Sequence, residues 1–289
     1  ACVTMHYSFP IGVSTVGKVV TPALGKEMYI ATTTGTSSSH RVEGMVKNAV
    51  YGIITAKTMG VENPTIGILN VDGARQVERA LKNLSSNKYD INFAESARAE
   101  GGIVMRGNDL LMGIPDVMVT DSLTGNLLMK IFSSYTTGGG FEAQGYGYGP
   151  GIGEDYNRNI LIISRASGSP VIANAISYGA SLVKGKINEV AKKEFEKINK
   201  AGFKDILSEL TKEKKSEEKS EEEIVTEPIS GIDIIELEDA VQELWKVNIY
   251  AESGMGCTGP IIMVSQAKLA DAIKTLVKAG YVADEGEIC

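Results

Sequence analysis

Met28-Tyr29-Ile30-Ala31-Thr32 is a short run of aromatic, apolar and β-branched residues, and Thr32-Thr33-Thr34-Gly35-Thr36-Ser37-Ser38-Ser39-His40-Arg41 follows it as a polar stretch rich in hydroxyls. Val42, Met45, Val46, Ala49, Val50, Ile53 and Ile54 then recur at the spacing of one buried helix face. Gly60 and Pro64 end that helix. The order of strand, polar loop and amphipathic helix repeats along the chain. Thr65 to Leu69 is the next strand, Asn70-Val71-Asp72-Gly73 its exit, and Ala74, Val77, Leu81 and Leu84 mark the helix behind it. Asp116 to Thr120 is a third strand, running out into Asp121-Ser122-Leu123-Thr124-Gly125-Asn126 before a helix at Leu127 to Ile131. Ile160 to Ile163 is a fourth, and Pro170 suits the first helical position ahead of Val171 to Val183. Such alternation predicts an α/β fold, a largely parallel sheet covered by helices, with ligands beyond the carboxyl ends of the strands.

The chain has 289 residues, 43% hydrophobic and 22% charged, enough for one large α/β domain or two smaller ones. A net charge of -7 argues against nucleic acid or an anionic membrane as partner, because both repel an acidic chain. The three cysteines, Cys2, Cys257 and Cys289, form no complete set of intrachain disulfides and no zinc spacing, which predicts a reducing cytoplasm and no metal. No apolar run of about twenty residues is present to span a bilayer. The chain opens without Met in strand-like Ala1-Cys2-Val3-Thr4-Met5-His6, so an N-terminal part is expected to be missing. Lys212 to Glu223 contains only Lys, Glu and Ser, a composition that buries no core. The expected organisation is therefore an α/β domain over 1–210, a charged linker over 211–228 and a small α/β unit over 229–289. That unit comprises a helix from Glu236 to Lys246, a strand Val247 to Tyr250, a turn, a strand Ile261 to Val264, and a helix with Leu269, Ala272, Ile273 and Leu276 on one face; Glu285 to Cys289 is a frayed tail.

The turn, Gly254-Met255-Gly256-Cys257-Thr258-Gly259-Pro260, holds one thiol among three glycines. Main-chain amides of Gly256, Thr258 and Gly259 would lower the thiol's pKa and form an oxyanion nest, making Cys257 a candidate nucleophile; the alternative is a tight turn whose small residue happens to be Cys. In the 32–41 stretch, Thr34, Thr36, Ser37, Ser38, Ser39 and Arg41 suit an anion cradle at a helix N-terminus, or else an N-cap with extra polar residues. His40 is placed to donate to phosphate or act as general acid, whereas His6 between Met5 and Tyr7 reads as structural. Two strand exits bear on the same crevice, one with Arg75 and one with Asp121, Ser122, Thr124 and Asn126; each either binds substrate or caps its helix. Ser164-Arg165-Ala166-Ser167-Gly168 offers a second guanidinium, Arg165, with Ser167, or a plain surface arginine. Arg106-Gly107-Asn108-Asp109 reads as a turn. The run from Gly138 to Gly153 is read as a long turning loop before a strand; it contains neither G-x-G-x-x-G nor a Walker motif, so neither a dinucleotide nor ATP is implied.

The Asp121 to Asn126, Gly149 to Gly153 and Ser164 to Gly168 segments, with Asn174-Ala175-Ile176, resemble the phosphate acyltransferase family of bacterial phospholipid synthesis. Ala1 to Tyr7, Thr32 to Arg41, Asn70 to Leu81 and Gly254 to Pro260 resemble more closely one branch of it, the alpha subunits of component C of the glycine/sarcosine/betaine reductase complex. The resemblance implies an isocitrate/isopropylmalate dehydrogenase-like fold and a role in anaerobic amino-acid fermentation. Component C takes a carboxymethyl group from a selenoprotein partner and releases acetyl phosphate. The beta subunit of component C is the implied partner, within an oligomer, and inorganic phosphate the co-substrate with no further cofactor. The cysteine matching Cys257 is implied as acetyl-thioester carrier, and Cys2 matches a second family cysteine. Family members carry further strands and helices ahead of the position of Ala1. Two other readings stand beside this one: a coenzyme-A phosphate acyltransferase with no thioester on the protein, and a non-catalytic scaffold subunit. A nicotinamide dehydrogenase ranks last, since fold does not fix function.

Overall fold

The computed structural model describes residues 1–98, 101–211, 223–232, 236–256 and 259–282, and the chain divides into two compact units, 1–211 and 212–289. In the first unit the strands are β1 (Cys2–Thr4), β2 (Val13–Val20), β3 (Glu27–Thr36), β4 (Thr65–Leu69), β5 (Asn92–Phe93), β6 (Val104–Met105), β7 (Val117–Val119), β8 (Gly149–Ile152) and β9 (Ile160–Ile162). Its helices are α1 (Arg41–Thr58), α2 (Ala74–Ser86), α3 (Gly107–Met112), α4 (Ser122–Ser134), α5 (Ser169–Lys184), α6 (Ile187–Lys200) and α7 (Phe203–Thr211). The strands lie in the order β1-β9-β8-β2-β3-β7-β4-β5, with β6 also paired to β4.

The sheet is mixed and mostly parallel. β3, β7, β4, β5 and β6 run together, as do β1 and β9, but β2 is antiparallel to both β3 and β8, and β8 is antiparallel to β9. β3 is buried on both faces, as a central strand between helical layers must be. Tyr29 and Ala31 pack with Met45, Val46 and Ala49 of α1, whereas Met28 and Ile30 pack with Met129 and Phe132 of α4.

The first unit departs from the sequence expectations in three respects that bear on the sheet. The polar stretch from Thr32 is not all loop, because Thr32 to Thr36 continue β3 and the loop spans only 37–40. The hydroxyls that suggested a loop are spent inside the sheet: Thr33 Oγ1 donates to the Tyr148 carbonyl at 2.6 Å, and Thr32 Oγ1 donates to the Thr15 carbonyl at 2.5 Å. The glycine run is not all loop either, since Gly149 to Ile152 form β8. Gly149 has φ +84°, and a Cβ there would stand 1.7 Å from the Val16 carbonyl oxygen, so only glycine lets β8 lie against β2. Third, β2 and β8 reverse the chain, so β9 runs opposite to β3, β4 and β7.

The second unit has a three-stranded antiparallel sheet, order β10-β12-β11, built from β10 (Glu227–Ile229), β11 (Ala251–Gly256) and β12 (Gly259–Val264), with helices α8 (Leu237–Lys246) and α9 (Leu269–Ala279). The expected strand at Val247 to Tyr250 is not one. α8 ends at Lys246, Asn248 turns the chain with φ +58°, and Ile249 and Tyr250 are buried ahead of β11. Ile249, Ala251, Ile262 and Val264 pack with Val241 and Leu244 of α8 and Leu276 of α9. β11 and β12 pair from Ala251 with Val264 to Gly256 with Gly259. Cys257 and Thr258, most of the charged stretch (212–222) and the tail from Glu285 to Cys289 lie outside the described residues. Among the described residues no helix is long and apolar enough to cross a membrane.

Candidate functional site

Because β3, β4 and β7 are parallel neighbours, their carboxyl ends open on one rim of the sheet, and the residues after them meet there. A cleft of about 340 Å³ lies at this rim. Thr36, Ser37, Ser38, Ser39 and Arg41 line it from β3, the loop and the start of α1, and Asp121, Ser122 and Thr124 from the exit of β7 and the start of α4.

Arg41 is the centre of charge. One guanidinium nitrogen, Nη1, lies 3.3 Å from Asp72 Oδ2, after β4, and the other, Nη2, lies 3.2 Å from Asp121 Oδ2, after β7. The two carboxylates are held differently. Asp121 is the N-cap of α4: its Oδ1 accepts the Leu123 and Thr124 amides at 3.1 and 3.0 Å, and its Oδ2 accepts the Thr124 hydroxyl at 2.7 Å. Burial alone would raise its pKa, but the hydrogen bonds from Thr124 and the Arg41 charge outweigh burial and hold it below the ordinary aspartate value. Asp72 caps nothing. The N-cap of α2 is Gly73, and Asp72 is 86% exposed.

The hydroxyls also divide. Ser37 is buried, donates to Asn48 Oδ1 and stands 2.6 Å from the Ser14 hydroxyl, while Asn48 Nδ2 donates to the Thr120 carbonyl at 2.9 Å. Ser38 donates to Glu43 at 2.8 Å. Thr36, Ser39 and Ser122 are exposed and make no side-chain hydrogen bond among the described residues. These three are the hydroxyls left to donate to a ligand. His40 is the N-cap of α1, where its Nδ1 accepts the Glu43 amide at 3.4 Å; it is exposed and does not line the cleft. A ring nitrogen that accepts cannot donate, so any acid role falls to Nε2. Both helix starts at the cleft are thus capped by their own side chains, leaving fewer free amides than an uncapped helix start provides.

Other sequence candidates are not brought to the cleft. Asn126 ties α4 to β3 by donating to the Thr33 carbonyl at 2.9 Å, and the Thr34 carbonyl accepts from the Thr15 and Thr32 hydroxyls at 3.3 Å. Arg75 pairs with Glu78 at 2.9 Å on α2. Arg165 and Ser167 follow β9, whose reversed direction puts their turn on the opposite rim. Ser167 Oγ donates there to the buried Glu142 at 2.6 Å, beside the C-terminal end of α4, while Asp121 caps the other end roughly 20 Å away along a 13-residue helix. Gly256 and Gly259 pair across the hairpin of the second unit, and the thiol between them lies outside the described residues.

Sequence reading missed Asn48 and Lys47, which brace the cleft from α1. Lys47 pairs with Glu43 and donates to the Ser37 carbonyl at 3.3 Å. Asn48, 2% exposed, was findable as a polar residue set among the apolar positions of α1. Among the described residues no three or more of His, Cys, Asp and Glu group together as metal ligands. A second cleft of about 430 Å³ on the same rim is lined by Tyr51, Phe195 and Phe203 with Lys47 and Lys204, without the cluster of hydroxyls. Chemically, the first cleft presents one guanidinium and three free hydroxyl donors to an oxyanion, with two carboxylates already in contact with the guanidinium.

A family model described as fatty acid synthesis protein matches residues 1–263. The alpha subunit of component C of the glycine/sarcosine/betaine reductase complex from Peptoclostridium acidaminophilum is 64% identical over 289 residues, an alignment covering 98% of this chain and 75% of that protein. Phosphate acyltransferases from Geobacillus sp. (strain WCH70) and Thermotoga maritima are 32% identical over 118 residues and 30% identical over 131 residues. Those matches cover 38% and 40% of this chain and only 32% and 37% of the acyltransferases.

Proposed function

The chain belongs to the fatty acid synthesis protein family, together with the alpha subunit of component C of the glycine/sarcosine/betaine reductase complex, and from that premise we propose that it is an acyltransferase subunit passing acetyl to inorganic phosphate. Cys257 carries acetyl as a thioester. A phosphate oxygen, held by Arg41 and the hydroxyls of Thr36, Ser39 and Ser122, bonds to the carbonyl carbon. The carbon–sulfur bond then breaks, acetyl phosphate leaves, and the thiolate is restored. Amides of Gly256, Thr258 and Gly259 stabilise the oxyanion formed on the way. The supporting observation is the cleft itself: a guanidinium and free hydroxyls at the carboxyl ends of parallel strands, in a chain 64% identical to a component C alpha subunit.

In this reading residues 1–211 are a phosphate acyltransferase-like domain with an isocitrate/isopropylmalate dehydrogenase-like fold, 212–226 a charged linker, and 227–289 the unit bearing the thiol, the expected linker bounds of 211 and 228 giving way to α7, which ends at Thr211, and to β10, which begins at Glu227. The partners are the beta subunit of component C and a selenoprotein that delivers a carboxymethyl group, in the cytoplasm. Acetyl phosphate incubated with the full chain should label the peptide spanning Gly254 to Pro260, and Cys257→Ser should abolish that label in the mass spectrum. Label that persists in the variant refutes the thioester. The matches to phosphate acyltransferases favour a second reading, transfer between coenzyme A and phosphate with no thioester on the protein. Arsenolysis of acetyl-CoA that survives Cys257→Ser would select it.

A further inference from the structure

We propose that Asp72 is a specificity-determining residue of the Arg41 cleft, and that it makes the cleft select a protonated oxyanion, hydrogen phosphate, over an unprotonated one such as sulfate. The inference rests on reading this cleft as the phosphate site and goes beyond it by saying which oxyanions the site accepts.

Asp72 has no evident task in the fold. It follows β4 in the turn before α2, yet the N-cap of that helix is Gly73, at φ +84° and with no side chain to cap with. Among the described residues the Asp72 carboxylate has one partner, Arg41, at 3.3 Å, and it is 86% exposed. Asp121, the other carboxylate on Arg41, is 15% exposed and bound by the Leu123 amide and by the amide and hydroxyl of Thr124. Asp121 is therefore fixed by the start of α4, while Asp72 is held by its charge alone.

An ionised carboxylate only accepts hydrogen bonds. Each Arg41 terminal nitrogen already has a carboxylate oxygen within 3.3 Å, so an anion oxygen that docks on the guanidinium arrives beside another acceptor. Two bare oxygens in that position repel. An oxygen that carries a proton donates it to the carboxylate, and the repulsion becomes a charge-assisted hydrogen bond. Hydrogen phosphate keeps at least one O–H in both forms present near neutral pH, and sulfate has none. The hydroxyls of Thr36, Ser39 and Ser122 donate equally well to either anion, so they supply affinity without discrimination. Discrimination falls to the carboxylates, and Asp72 is the one that can be changed without removing a helix cap.

The test is calorimetric titration of the full chain with inorganic phosphate and with sodium sulfate at fixed ionic strength, for wild type, Asp72→Asn, Asp72→Glu and Arg41→Ala. Wild type should prefer phosphate by about tenfold or more, the worth of one charge-assisted hydrogen bond against an unpaired acceptor. In Asp72→Asn, whose side-chain amide donates to either anion, sulfate should gain until the two differ by no more than about threefold. Asp72→Glu, which keeps the acceptor, should restore the preference. An unchanged ratio in Asp72→Asn overturns the inference, as does wild type that binds sulfate as well as phosphate. If neither wild type nor Asp72→Asn shows binding that Arg41→Ala removes, the phosphate reading of the cleft fails with it, a result distinct from an unchanged ratio.

Discussion

The two rims of the first unit's sheet each concentrate polar side chains, but they treat charge in opposite ways. At the rim of Arg41 the guanidinium is half exposed between two carboxylates, and three hydroxyls nearby make no side-chain hydrogen bond among the described residues. At the opposite rim Glu142 is 3% exposed and accepts the Tyr148 hydroxyl at 2.8 Å and the Ser167 hydroxyl at 2.6 Å. Its main chain is bound as well, the Glu142 amide donating to Ala166 and the Gly168 amide to Glu142. Burial and then the neighbouring Glu142 push the Tyr148 phenol well above its ordinary value. The first arrangement can exchange a partner for a ligand at little cost, because exposed ion pairs contribute about 1 kcal/mol or less. The second cannot, since a buried polar group left without its partner costs about 1 to 3 kcal/mol.

Two arginine substitutions probe that contrast with the largest expected effect. Arg41→Ala should reduce phosphate-dependent acetyl transfer by about a hundredfold, the loss of a charge-assisted contact to the reacting anion. Arg165→Ala, on the rim turned away, should leave the same rate within about twofold. Equal losses in the two variants would erase the distinction between the rims. Glu142→Ala should act the other way round, lowering unfolding stability by about 2 to 4 kcal/mol in urea while phosphate affinity stays unchanged, because it removes the carboxylate to which the Tyr148 and Ser167 hydroxyls donate. A stable variant that no longer binds phosphate would move the site to Glu142. The smallest effect concerns acid. The folded-state pKa of Asp121 lies below its ordinary value, so its contribution is present above the unfolded-state value and is lost as pH falls through the folded one. Unfolding measured from neutral pH downward should therefore steepen below the ordinary aspartate range of about 4. Asp121→Asn should flatten that slope while costing about 1 kcal/mol at neutral pH for the weakened cap.

Much of the cleft rim was legible in the sequence because periodicity reports burial. The buried face of α1, the strands at Thr65 and Asp116 and the polar exits behind them all follow from spacing, and parallel neighbours bring their exits together. Strand direction carries no such mark. β2 interleaves buried Ser14, Thr15 and Lys18 with its valines and so shows no strand period, and β8, Gly149-Pro150-Gly151-Ile152, has the composition of a turn; these two strands reverse β9 and carry Arg165 and Ser167 away. Hydroxyls misled in a related manner. Thr32 and Thr33 resemble loop residues by polarity, yet threonine suits a strand, and their side chains bond across the sheet. In the second unit Ile249 and Tyr250 have the apolar character of a strand but fill core space after a turn at Asn248. Asp72 stands in the exit from β4, where only the geometry distinguishes it from a helix cap.

A Cβ placed on Gly125 would stand 1.7 Å from the Thr32 carbonyl oxygen, so the first turn of α4 rests backbone against backbone on β3. That main-chain abutment sets how closely the α4 wall of the cleft approaches β3. A combinatorial library randomised at Thr36, Ser39 and Ser122, with Gly125 held constant, would vary the recognition surface on an unmoving frame. Any substitution at 125 itself would pry the frame apart.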